Sequence, residues 1–354
     1  MKSVLVVVTR QIGDVLLTTP LIREVRSLWP EAAVDVLGFE GTLGMLEGNP
    51  DVRERIATPA QLGFGGAWRL LRRLWRRYDL VLVADPGDRA HLFGWAASRV
   101  RAGVLPERSS SNWWKRALLT HAVESGGDPS GVHIVAERLS LLAPWTSASH
   151  VSNASLVAPE GSALPAPLQS RLHAGYIVMH TPSMWPYKQW PLSHFRELAS
   201  LLTADGRQVV LTGGPGAHDR ACVDAMKGCA PESMLVDAGS LDFRQLARLI
   251  RGAALYIGPD TSISHLAAAC DVPVLAIFGP TNPQRWAPWP GSGVAIARQA
   301  SSQTLRNITI VQADLPCVPC GKAGCEDHRQ SGTACLPAIT PQRVAEAARR
   351  ILPQ

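Results

Sequence analysis

The sequence predicts an α/β protein built on parallel sheets and divided into two domains. Three observations carry that expectation. The chain has 354 residues, more than one ordinary core holds and enough for two domains of common size. Its composition, 46% hydrophobic and 18% charged, suits packed cores rather than a disordered chain. Short apolar runs alternate with helix-period segments along most of the length, as βα units require.

The first half opens with an apolar strand at 4–8, a loop at 9–14 and a helix from about 15 to 28. Strands follow at 34–37 and 80–84, the second ending in Asp85-Pro86-Gly87. Residues 144–170 are rich in Ala, Ser and Pro, a composition that marks a domain boundary. The expected domains are 1–158 and 172–354. The second half restarts the pattern with strands at 176–180, 208–212, 254–257 and 274–278, each running into a polar or glycine-bearing loop. Helices are expected near 194–203 and 262–270. Thr340-Pro341 reads as an N-cap and first helical residue, opening a final helix to about Ile351.

No run approaches the roughly 18 apolar residues that span a bilayer. The apolar stretch after Met1-Lys2-Ser3 is shorter than a signal-peptide core and reads as a buried strand. A cytoplasmic location is therefore expected. The net charge of +6 is uneven: residues 60–120 hold 11 Lys/Arg against 4 Asp/Glu. Arg69, Arg72, Arg73, Arg76 and Arg77 fit a helix whose apolar stripe is Leu70, Leu71, Leu74 and Trp75. That helix is either a solvated amphipathic element or an attractor for a phosphorylated acceptor or an anionic membrane surface. Nucleic acid is not expected, because no recognition motif accompanies the charge.

Four loops could carry chemistry. In Arg10-Gln11-Ile12-Gly13-Asp14, Gly13 permits a tight turn, and a carboxylate at Asp14 could take a proton from an attacking hydroxyl or merely cap a helix. In Gly258-Pro259-Asp260-Thr261-Ser262-Ile263-Ser264-His265, backbone N–H groups at a helix start suit a diphosphate, with Thr261 and Ser262 adding hydroxyls. Lys188 lies in an aromatic loop that begins at Ser183 and could neutralise a leaving diphosphate. Gly213 to Gly216, followed by His218-Asp219, could bring backbone close to a nucleotide while Asp219 accepts from ribose. No G-x-G-x-x-G follows the first strand, so the dinucleotide fingerprint is missing.

Taken together, these residues resemble glycosyltransferase family 9, the bacterial lipopolysaccharide heptosyltransferases. The resemblance rests on Ile12-Gly13-Asp14-Val15-Leu16-Leu17-Thr18-Thr19-Pro20, Lys188-Gln189-Trp190-Pro191, Asp260-Thr261-Ser262 with His265, and Phe278-Gly279-Pro280-Thr281. The likeness is greatest to the heptosyltransferase III type, through Val34-Asp35-Val36-Leu37, Asn49-Pro50 and Val210-Leu211-Thr212-Gly213-Gly214-Pro215. What it implies is a GT-B fold, two Rossmann-like domains facing across a cleft, with the acceptor on the first and the donor on the second. It also implies an inverting transfer from ADP-heptose that needs no catalytic cofactor, to an anionic lipopolysaccharide-core acceptor, with peripheral contact at the inner membrane. By motif, Asp14 would be the general base beside Gly13. Lys188 would meet the diphosphate, Asp219 the ribose, and Ser183, Asp260, Thr261, Ser262 and His265 would line the donor site. The match at Asp219 is looser, since many members have Glu nearby.

Seven cysteines are present. Cys222, Cys229 and Cys270 read as packing residues. Cys317, Cys320, Cys325 and Cys335 form a group whose C-x2-C start, in a reducing compartment, suits a structural Zn or Fe site; reduced or partly oxidised free thiols are the alternative. Similar clusters occur in relatives, and the autotransporter heptosyltransferases carry an iron-binding version. Two other activities fit the same shape, a protein heptosyltransferase and a nucleotide-sugar epimerase, and a non-catalytic binding protein is a third possibility.

Overall fold

The computed structural model describes residues 1–106, 112–127, 130–147, 155–289 and 296–352. The chain divides into two compact units, Met1–Pro159 and Glu160–Gln354. Part of the Ala/Ser/Pro-rich stretch expected as a boundary, residues 148–154, lies outside the described residues.

The first unit holds six strands: β1 (Ser3–Val8), β2 (Ala33–Phe39), β3 (Glu54–Thr58), β4 (Leu80–Val83), β5 (Arg101–Leu105) and β6 (His121–Glu124). Their order is β3-β2-β1-β4-β5-β6, and every pairing is parallel. Val4, Leu5, Val6, Val7 and Val8 are fully buried. Helices cover both faces of a parallel sheet, so a central strand must be apolar on both sides.

The second unit repeats the plan with β7 (Ile177–His180), β8 (Val209–Gly213), β9 (Leu235–Ser240), β10 (Leu255–Pro259), β11 (Val274–Phe278), β12 (Ser302–Leu305) and β13 (Ile308–Gln312). The order is β12-β13-β11-β10-β7-β8-β9, with only the edge strand β12 antiparallel. In each unit the chain starts at the sheet centre, winds to one edge, and crosses back to build the other half. The crossing points fall between β1 and β4 and between β7 and β10. Loops leaving those carboxyl ends diverge and open a crevice, the usual ligand position in such sheets.

Two expectations need correction. The helix expected from about 15 to 28 starts earlier, with Gln11 as N-cap, and is broken in two, Ile12–Leu16 and Thr19–Leu28. Pro20 has no N–H to continue the ladder and crowds the preceding turn. The Thr18 and Thr19 hydroxyls donate instead to the carbonyls of Asp14 (2.7 Å) and Leu16 (2.7 Å). The apolar stripe of the basic helix, Phe64–Leu74, is narrower than expected: Leu70 and Leu74 are buried, Leu71 is partly buried, and Trp75 is exposed.

His180 ends β7 in full burial, with its ring 3.0 Å from the Thr212 hydroxyl. Burial lowers its pKa from 6.5 to about 4. The unfolded chain therefore gains a proton near pH 6.5 while the folded one stays neutral, and both are protonated well below pH 4. Stability should fall as pH drops through that window. Thermal melts from pH 7 to 4 should show a shallower decline for His180→Asn than for the parent; parallel curves would contradict this.

Candidate active site

In the first unit, loops from β1 and β4 are laced together at the crossing point. Asp85 is buried. Its Oδ2 accepts from the Thr9 N–H (2.6 Å) and hydroxyl (2.8 Å), and its Oδ1 from the Gly87 N–H (2.7 Å). Both oxygens are thus spent on holding the two loops. Asp88 pairs with the buried Lys115 at 2.6 Å, and Lys115 also donates to the Pro86 carbonyl.

Asp14 lies in the first turn of Ile12–Leu16, three residues past the N-cap Gln11, and Gly13 is buried beside it. Arg138, on the helix Ile134–Leu139, fixes that turn in place. The guanidinium is 2% exposed. It donates from Nε to the Ala84 carbonyl (3.2 Å), from Nη1 to the Asp14 carbonyl (2.8 Å) and from Nη2 to Asp14 Oδ1 (2.6 Å). One planar fork therefore ties the end of β4 to the helix and the carboxylate. Asp14 Oδ2 is 3.8 Å from Arg10 Nε, beyond hydrogen-bond length. A carboxylate held by one oxygen with the other turned elsewhere can accept a proton in a fixed direction. Sequence reasoning missed Arg138, which lies 124 residues from Asp14 in a segment that matches no motif.

In the second unit, the loop after β7 is stapled by Gln189. Its amide accepts from the Ser183 N–H (2.9 Å) and donates to the carbonyls of Thr181 and Trp190 (both 2.9 Å). Trp190 is fully buried and donates to the Ile339 carbonyl. Pro191 then stands at the N-cap of Leu192–Ala204. Lys188 is carried on this frame and reaches Asp260 Oδ2, at the end of β10, at 2.6 Å. The two crossing-point loops of the second unit thus meet in one ion pair.

Asp260 precedes Thr261, the N-cap of Ser262–Ala269, whose side chain makes no capping bond. First-turn N–H groups have no partner within their own helix. His265 lies one turn along and is buried. Beneath, Ser264 donates to the Pro259 carbonyl (2.6 Å) and lies 3.2 Å from the Tyr256 hydroxyl. A Cβ at Gly258 would come within 2.4 Å of that hydroxyl, so only glycine fits. In the first turn of the helix Ala217–Asp224, after β8, Asp219 Oδ2 accepts from the Gly214 N–H (3.0 Å), and His218 Nε2 meets the Ser183 carbonyl at 3.2 Å. Ser183, Lys188, Asp219, Asp260, Thr261, Ser262 and His265 thus belong to loops and helix starts at the carboxyl ends of β7, β8 and β10.

The four cysteines do not form the expected metal set. Among the described residues, no three His, Cys, Asp or Glu side chains are grouped to hold an ion. Cys317, Cys320 and Cys325 are exposed, whereas Cys335 is buried in the hydrophobic core with Val318, Leu336 and Ile339. Burial chiefly, with the Cys320 and Cys325 thiols adding to it, pushes the Cys335 thiol up. The segment is bonded to the loops after β11 and β7, through Gly321 N–H to the Pro280 carbonyl (2.8 Å) and Arg329 over the Trp185 ring (4.9 Å).

The sequence model of glycosyltransferase family 9 (heptosyltransferase) matches residues 67–314. Over 291 residues the chain is 31% identical to lipopolysaccharide heptosyltransferase 3 of Escherichia coli, covering 78% of this chain and 83% of that protein. The chain belongs to glycosyltransferase family 9, and is a glycosyltransferase by that membership. The structure of E. coli heptosyltransferase WaaC with ADP-2-deoxy-2-fluoro heptose superposes with a TM-score of 0.70 at 20% identity, covering 98% of this chain and 99% of that one. The iron-containing dodecameric glycosyltransferase TibC from enterotoxigenic E. coli H10407 gives 0.57 at 15%, over 99% and 76% of the two chains. These likenesses show the GT-B fold.

Lys188→Met would leave the largely buried Asp260 carboxylate without its cation. A loss of about 3 kcal/mol of stability is expected, most of it recovered in Lys188→Met/Asp260→Asn. Denaturant unfolding of both variants tests this; equal losses in the two would show that the ion pair is not what holds the loops.

Proposed function

We propose that this protein moves heptose from ADP-heptose to a hydroxyl of the lipopolysaccharide inner core, with inversion at the transferred carbon. One observation supports it above the others. In a chain of this family, the crossing-point loops hold an oriented carboxylate, Asp14, in the first unit, and a cation beside a helix start, Lys188 with Ser262–Ala269, in the second. On this reading residues 1–158 bind the acceptor and 172–354 the donor.

Asp14 Oδ2 takes the proton of the acceptor hydroxyl as that oxygen attacks the anomeric carbon, and the bond to the diphosphate breaks on the opposite face of the sugar. Arg138 keeps the carboxylate aimed. Lys188 has three N–H donors, so it can hold Asp260 and a diphosphate oxygen together. First-turn N–H groups and the Thr261 and Ser262 hydroxyls share the remaining charge that develops on the leaving group. Asp219 Oδ1 remains for a ribose hydroxyl, while Ser183 and His265 line the donor loops. This route uses no cofactor and no metal, and the cysteine segment has no part in it. The work would be done in the cytoplasm, with peripheral contact at the inner membrane.

Asp14→Asn should lower the rate of ADP release with donor and acceptor by about 10²–10⁴-fold, with ADP affinity changed little. Asn keeps the shape and can still accept from Arg138, so the melting temperature should move little. Steady-state rates and calorimetry on the same preparations decide it; a near-normal rate would remove Asp14 from the chemistry.

A further inference from the structure

In the first unit, helices Phe64–Leu74, Asp88–Ala97 and Trp113–Leu118 form a layer on one face of the sheet. Leu70, Leu74, Ala90, Phe93 and Ala97 are buried against Leu5, Val7, Val81 and Val83, and Leu119 packs on Gly103 next to Val83. The outer side of this layer is unusual. Nine large hydrophobic side chains stand exposed among the described residues, and six of them are here: Phe64, Trp68, Trp75, Leu92, Trp95 and Trp113.

Their placement is regular. At about 100° per residue, Phe64, Trp68 and Trp75 fall within roughly 40° of one another, turned on average by about 120° from Leu70 and Leu74. Leu92 and Trp95 lie within roughly 60° on the next helix. Trp75 and Trp95 meet edge to face with centroids 5.6 Å apart, joining the two rows, and the Arg76 guanidinium lies over both rings. Phe64 is 90% exposed, Trp68 63% and Trp113 73%, so these rings contribute little to the fold. Arg69, Arg72 and Arg77 flank them, and among the described residues none of the three pairs with a carboxylate.

We infer that this aromatic and basic face seats the protein on an anionic phospholipid bilayer. Amphipathic rings settle at the headgroup level, and flanking arginines are drawn to anionic lipid. A second copy of the chain fits poorly, because pairing like faces would press arginine rows together. The inference deepens the proposed function by giving an acceptor carried on a membrane lipid a surface that brings the enzyme to it.

Vesicle flotation without donor or acceptor tests it, so its failure is separate from failure of the proposed reaction. Full-length protein should float with vesicles containing phosphatidylglycerol, far less with phosphatidylcholine alone, and less as salt is raised. Phe64→Ser/Trp68→Ser should weaken that binding about tenfold or more, and Arg69→Ser/Arg72→Ser should remove the lipid-charge preference. Both variants should keep the parent melting temperature and the parent rate on a soluble acceptor. Binding that ignores lipid charge, or survives both variants, would overturn the inference. So would a parent dimer that the aromatic variant dissociates. A lost rate on soluble acceptor with unchanged flotation would also overturn it, marking the arginines as an acceptor site.

Discussion

A parallel sheet covered on both faces leaves little room for unpaired charge along its central strands, and the rest of this protein follows from that constraint. Val4 to Val8 and Val274 to Phe278 are buried without exception, so polar chemistry is pushed to the carboxyl ends. There the loops need internal partners to hold one shape. Asp85 spends both oxygens on Thr9 and Gly87, Arg138 spends its fork on Ala84 and Asp14, and Gln189 closes the turn that carries Lys188. The buried polar groups at these ends are thus largely bonded to the loops themselves, and the few that face outward are placed by them.

This division explains how much was legible in the sequence. Central strands announce themselves because burial on both faces demands unbroken apolar runs; the 274–278 strand was read to the residue. Edge strands did not. Glu54–Thr58 and His121–Glu124 each have a solvent-facing side and a mixed composition, so no period stood out. Motif residues on loops could be picked because Gly, Asp and Lys there have no packing role to explain them. Arg138 could not, since its function is a contact across 124 residues, and nothing local distinguishes it from any other helical arginine.

Two readings from spacing met the structure only in part, for one reason. Cys317, Cys320, Cys325 and Cys335 have the intervals of a metal knuckle, and residues 69–77 have those of an amphipathic helix. Spacing gives neither the direction in which the chain presents a side chain nor what the remaining residues pack against. Cys335 enters the core with Leu336, whereas Cys317, Cys320 and Cys325 are exposed. Trp75 stands outside the core against Trp95. The cysteine segment is bonded to the loops after β7 and β11, and the aromatic row stands on the surface.

The central claim is that a single displacement joins a donor held by the second unit to a hydroxyl activated in the first. Product analysis tests it most directly. Purified protein, ADP-heptose and a core-oligosaccharide acceptor are combined, and ADP, acceptor mass and anomeric configuration are followed together. The account predicts one ADP for each heptose gained, with the configuration at the transferred carbon inverted. Donor consumed without acceptor gaining mass, or a product with retained configuration, would contradict it.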